Sequence, residues 1–144
     1  MTADALIEPV ILRGVAAPGL GKATQFTSLP WVARAFADKL GFAVWPGTFN
    51  VRLADDGSVQ LWAAVVGRVG IEIEPPDSAT CVAVCYRTWV NGSVSGAIVL
   101  PHVAGYPSDQ VEVVADRSIR SALALNDGDP VALHLVGLFE PSLP

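Results

Sequence analysis

The chain has 144 residues, the size of one ordinary domain, with 9 Lys plus Arg against 14 Asp plus Glu and a formal net charge of -5. That balance opposes a nucleic-acid partner, although a small phosphorylated ligand is still compatible with a local basic pocket. Hydrophobic residues make up 51% and charged ones 16%, the reverse of a disordered composition, and no apolar run approaches the roughly 18–20 residues that span a bilayer.

The opening stretch, MTADALIEPVILRG, carries Asp4 and Glu8 where a secretory leader carries Lys or Arg. A soluble, cytoplasmic chain of residues 1–144, one domain, monomer or homodimer, is therefore expected. Residues 9–16 (PVILRGVA) read as a first strand ending at Ala17-Pro18-Gly19-Leu20-Gly21, a turn rich in glycine. Two glycines let backbone N–H groups approach phosphates closely, although the loop is neither a Walker loop nor a dinucleotide fingerprint, and taken alone it reads first as a plain turn. Next, Ser28-Leu29-Pro30 leads WVARAFADKL, with Val32, Phe36 and Leu40 on one face and Gly41 as the stop. That is a helix with Pro in its first turn.

Pro46-Gly47 marks a turn, and Thr48 to Leu53 a strand with Phe49, Val51 and Leu53 on one face and Thr48, Asn50 and Arg52 on the other. Thr48 and Asn50 then stand about 6.6 Å apart on one side, a span over which two neutral oxygens can share a Mg²⁺ that keeps waters and phosphate oxygens as its other ligands. A solvated strand face is the alternative. Asp55-Asp56-Gly57 reads as a turn, and VQLWAAVVG as either a strand or a short helix.

GIEIE alternates and stops at Pro75-Pro76, after which TCVAVCYRTWV and SVSGAIVL flank Asn91-Gly92, the pair that suits a type I′ hairpin because both central residues need positive φ. Cys81 and Cys85 on such a strand fall about 13 Å apart, beyond disulfide reach, and with His102 and His134 the only histidines no zinc site is assembled. His102 in the PHVAGYPSD loop could accept a proton. QVEVVA is a strand bearing a lone carboxylate, Glu112, which could bind a polyhydroxyl or ring ligand or face water on an edge strand. A short helix from Ser118 follows, with Arg117 and Arg120 able to pair with phosphate. Asn126-Asp127-Gly128-Asp129 turns the chain into the last strand, PVALHLVG. The sum is a mainly β protein: a small closed β-barrel of six or seven strands with one or two helices.

GVAAPGLG with Phe26-Thr27-Ser28-Leu29, KLGFAVWPGTFNVRL, GIEIE, SGAIVLP with Tyr106-Pro107, EVVA with Arg120, and Leu125-Asn126-Asp127-Gly128-Asp129 occur in this order over nearly the whole length. Together they resemble the archaeal CTP-dependent riboflavin kinase family, a cradle-loop barrel. The resemblance implies a transferase that moves the CTP γ-phosphate to the riboflavin 5′-hydroxyl with Mg²⁺, giving FMN and CDP, and has small molecules rather than nucleic acid or membrane as partners. It further implies that Gly19, Leu20, Gly21, Lys22, Ala23 and Thr24, with Arg117, Ser118, Ile119 and Arg120, contact the nucleotide. Thr48 and Asn50 would hold Mg²⁺, and Glu112 and the Ala104 position would face the flavin. No catalytic base is implied. Where the family has Glu-Gly-Lys this chain has Lys22-Ala23-Thr24, and where it has Thr-His before the tyrosine this chain has Ala104-Gly105. Those departures leave a second reading open, a barrel that binds flavin or nucleotide without turnover.

Overall fold

A computed structural model describes residues 10–19, 23–76 and 82–137. Among them are seven strands and four helices, two helices more than the sequence pattern suggests. In chain order these are β1 (Val10–Ala17), α1 (Ala23–Ser28), α2 (Pro30–Leu40), β2 (Phe49–Leu53), α3 (Asp56–Val65), β3 (Ile71–Ile73), β4 (Ala83–Val90), β5 (Val94–Pro101), β6 (Gln110–Ala115), α4 (Ile119–Leu123) and β7 (Pro130–Leu135). The strands run in the order β3-β4-β5-β6-β2-β1-β7, and β4 also pairs with β7. Six antiparallel strands therefore close into a barrel, and β3 lies alongside as an extra strand. One long strand does both jobs, since Ala83 to Cys85 of β4 pair with β3 while Thr88 to Val90 pair with β7.

Alternation along each strand divides the side chains between two cores. Leu12, Phe49, Val51, Ile98, Val113 and Leu133 fill the barrel interior. Outside it, Val32, Phe36 and Leu40 of α2 cover Ile73, Cys85, Ala97, Val99 and Val114. Helix α2 has the stripe expected of it and ends at Gly41 with φ 87, but its N-cap is Leu29 rather than Ser28, with no side-chain cap bond, because Ser28 ends α1. The guanidinium of Arg87 closes its other end, donating to Leu40 O at 3.0 Å and Lys39 O at 3.3 Å. Phe26 of α1 meets Trp31 and Phe36 edge-on at 6.3 and 6.5 Å, which binds the two helices together.

Three local readings are corrected. Of the two readings open for VQLWAAVVG the helix holds, Val59 to Val65 lying in α3, which the Asp55 side chain caps by accepting from Ser58 N at 2.7 Å; the correction is that Asp55-Asp56-Gly57 opens this helix and is not a turn. The Asn91-Gly92 hairpin forms with φ of 51 and 68, but Val90 pairs with Val94, so Ser93 joins the loop. Glu112 is not on an edge, because β6 runs between β5 and β2. Cys85 is buried, while Cys81 lies outside the described residues. No helix among the described residues is long and apolar enough to cross a membrane.

Candidate active site

At one end of the barrel the last residues of β1, the Pro46-Gly47 turn, the end of β6 and the start of α4 enclose a cleft of about 340 Å³. Its polar wall follows from strand pairing. Strand β2 sits between β1 and β6, so Asn50 lies opposite Ala17 on one side and Glu112 on the other. Phe49 and Val51 point into the barrel, which turns Thr48, Asn50 and Glu112 to the outer face.

On that face the Thr48 hydroxyl donates to Glu112 Oε1 at 2.8 Å, and the Tyr106 hydroxyl donates to Glu112 Oε2. The carboxylate is thus oriented by two neutral donors. Burial, followed by the hydrogen bond to Glu112 and its charge, pushes the Tyr106 phenol well above the ordinary tyrosine range and keeps it a donor. Asn50 is buried, with Nδ2 3.5 Å from Thr48 Oγ1 and Oδ1 accepting from Gln110 Nε2 at 3.1 Å. Gly19 covers this amide so closely that a Cβ there would stand 2.7 Å from Asn50 Nδ2. Gly47, at φ 91, makes the turn before Thr48, and its N–H donates to Thr27 Oγ1 at 2.8 Å, so α1 fixes the turn.

The arginines play unequal parts. Arg120 lies over the Phe49 ring at 5.6 Å and donates to Ala17 O at 2.9 Å and Asp127 Oδ1 at 2.5 Å. It joins α4 to the end of β1 and to the Asn126–Asp129 turn, which is itself held to β1 through Gly128 N and Ala16 O at 2.7 Å. Arg117 forms an ion pair with its chain neighbour Asp116, at 2.7 Å and with both side chains well exposed to water. An exposed pair of that kind is weak enough to exchange for a phosphate. The Arg117 hydrogen bond nonetheless holds the Asp116 carboxyl below the ordinary carboxylate range.

The structure thus brings together Gly19, Thr48, Asn50, Arg117, Ser118, Ile119 and Arg120 around one cleft, with Glu112 behind Thr48. Ser118 caps α4 by accepting from Ser121 N, and the Ile119 side chain is buried in the barrel core, so only its backbone is offered to a ligand. Ala23 and Thr24 open α1, while Leu20, Gly21 and Lys22 lie outside the described residues. Ala104 is exposed in the turn between Val103 and Tyr106. His102 is also exposed, its N–H donating to Val82 O, and it does not line the cleft. Tyr106, Gln110, Thr27 and Trp45 enter the site although their spacing singles none of them out for chemistry. Tyr106 lies six residues before Glu112 across a loop, a relation that no strand period reports. Among the described residues no group of three or more His, Cys, Asp or Glu forms a metal cage.

Comparison with known proteins places the chain in a family. Residues 16–135 match the CTP-dep_RFKase family model, described as domain of unknown function DUF120. The chain is 34% identical over 127 residues to a riboflavin kinase of Methanosarcina barkeri, covering 86% of this chain and 56% of that protein. It is 36% identical over 125 residues to one of Methanocella arvoryzae, covering 87% and 56%. With a riboflavin kinase of Aeropyrum pernix it shares 32% identity over 129 residues, 88% of this chain and 96% of that protein. The chain spans about half the length of the first two of these relatives. The matched region runs from the last residues of β1 to the end of β7 and covers most of the chain, and on that ground the chain belongs to the CTP-dependent riboflavin kinase domain family.

Proposed function

We propose that this chain is a Mg²⁺-dependent kinase that transfers the γ-phosphoryl group of CTP to the 5′-hydroxyl of riboflavin. A bond forms between the riboflavin 5′-oxygen and the γ-phosphorus, the bond from that phosphorus to the β-phosphate bridging oxygen breaks, and the hydroxyl proton passes to water. The products are FMN and CDP. Support comes from the single hydrogen bond between Thr48 and Glu112, which sets a metal-suited hydroxyl and an acceptor-binding carboxylate side by side at the edge of the cleft.

The residues present fit a magnesium ion. Because Thr48 gives its proton to Glu112, its oxygen lone pairs are left for a cation. The end of the Asn50 amide is 3.5 Å from that oxygen, so the two side chains would reach one ion together. Turning the Asn50 and Gln110 amides over together would keep their mutual bond, give up the 3.4 Å bond from Asn50 Nδ2 to Thr48 O, and let Oδ1 serve as a ligand oxygen. When bound, the ion supplies charge neutralisation at the phosphates. Arg117 and the backbone from Arg117 to Arg120 hold the nucleotide, Glu112 receives a hydrogen bond from the ribityl chain, and Tyr106 keeps that carboxylate aimed. Transfer through a loose transition state depends on such alignment more than on a base.

The test is incubation of the purified chain with riboflavin, Mg²⁺ and each nucleoside triphosphate in turn, with FMN measured by chromatography. FMN from CTP is the expected product, and none from any of the four retires the reading. Ala104 supplies neither hydroxyl nor imidazole to a flavin, and that favours the second reading, a binding module without turnover. Calorimetric binding of riboflavin or nucleotide with no FMN formed is its signature.

A further inference from the structure

Trp45 is 53% exposed, a large apolar side chain left open to water on the lip of the cleft. The other three tryptophans have different situations. Trp31 packs edge-on with Phe26, Trp62 is buried edge-on against Tyr86, and Trp89 lies on the outer face of β4 opposite Ser95 and His134. Trp45 alone among them lines the cleft. Its backbone is fixed on both sides, since Trp45 N donates to Ala115 O at 2.8 Å and Pro46 restricts it to extended conformations. The backbone that carries this indole is therefore held in place at the wall of the cleft.

Trp45 and Thr48 are three residues apart, at most about 10–11 Å of chain, on the scale of the separation between a nucleobase and the far phosphates of its nucleotide. We infer that Trp45 is the stacking platform for the nucleobase of the phosphate donor. This rests on the kinase reading above. With the triphosphate between Gly19 and Thr48, the base has the Trp45 face within reach. The flavin ring is the less suited occupant, because Glu112 and Tyr106, which face the acceptor, do not line this cleft. Stacking is tolerant of base identity, so Trp45 contributes affinity, and discrimination among bases belongs to polar groups around it.

Wild type, Trp45→Ala and Trp45→Phe are titrated with CDP, with inorganic tripolyphosphate and with riboflavin, all with Mg²⁺, alongside thermal melts. The inference predicts that Trp45→Ala weakens CDP roughly 5- to 150-fold, leaves tripolyphosphate and riboflavin unchanged, and melts like wild type. Trp45→Phe recovers most of the CDP affinity. Wild-type tryptophan fluorescence falls on adding CDP, and the Phe variant loses that change. Equal CDP affinity in wild type and Trp45→Ala, or an equal loss for tripolyphosphate, overturns the inference while the kinase reading stands. Selective weakening of riboflavin assigns Trp45 to the acceptor and also overturns it. A wild-type chain that binds no CDP removes both.

Discussion

Glu112 takes one hydroxyl from Thr48 and another from Tyr106, so its environment depends on Tyr106 keeping its proton. The chain has two tyrosines, and burial raises the phenol of both, Tyr86 also feeling the Cys85 charge. A group whose folded value lies above its unfolded value stabilises the fold below the unfolded value, about 10 for tyrosine, and that stability is lost as pH rises toward the folded value. Ultraviolet titration of the folded chain should therefore show clearly less phenolate near pH 10.5 than the urea-unfolded chain, in which most of both phenols is ionised. Phenolate in the folded chain equal to that of the unfolded chain at that pH contradicts the Tyr106–Glu112 contact. Gly19 makes a separate prediction, since its missing Cβ leaves room for Asn50 Nδ2 at 2.7 Å. Gly19→Ala should displace the Asn50 amide and weaken Mg²⁺-dependent nucleotide binding at least several-fold in calorimetry, with thermal stability changed little. Glycine at this turn is legible in the sequence, but its contact with a residue 31 positions on is a product of pairing between β1 and β2.

The legible elements are those whose signal is local. Helix α2 has a clean apolar stripe and a positive-φ stop at Gly41, and the β4–β5 hairpin has Asn91-Gly92, so both emerge from sequence alone. Helix α3 does not, because Val59, Leu61, Trp62 and Val65 all pack toward the barrel core and blur the helical period into a continuous apolar run. The useful clue there was Asp55 three residues before Ser58, an N-cap that resembles a turn. Helix α1 is six residues long, too short for a periodic pattern. Arg87 ties two of these elements, reaching from β4 to the C-terminal carbonyls of α2. Arg87→Met keeps the stem and removes those donors, so it should cost about 1–2 kcal/mol in urea unfolding. A loss below a few tenths of a kcal/mol means the cap is solvated rather than structural.

At the scale of the whole molecule the number and alternation of strands point to a closed barrel, but its closure by a β4 shared between β3 and β7 is a long-range pairing without a local signal. The same holds for the site. Thr48, Asn50 and Glu112 are separated in sequence by up to 64 positions and meet because β2 lies between β1 and β6. The residue types suggest chemistry, and the strand order makes them a site. In the function proposed above, the Thr48–Asn50–Glu112 group carries magnesium-dependent phosphoryl transfer to riboflavin. Its most direct measurement is the rate of FMN formation from riboflavin, CTP and Mg²⁺ by wild type and by Thr48→Val, which keeps the side-chain shape and removes the hydroxyl. Wild type should form FMN, and the variant should fall by roughly 100-fold or more, a loss of about 2.7 kcal/mol in transition-state stabilisation, while unfolding free energy changes by only about 1 kcal/mol. Equal rates in the two proteins, or no FMN from the wild type, contradict the account.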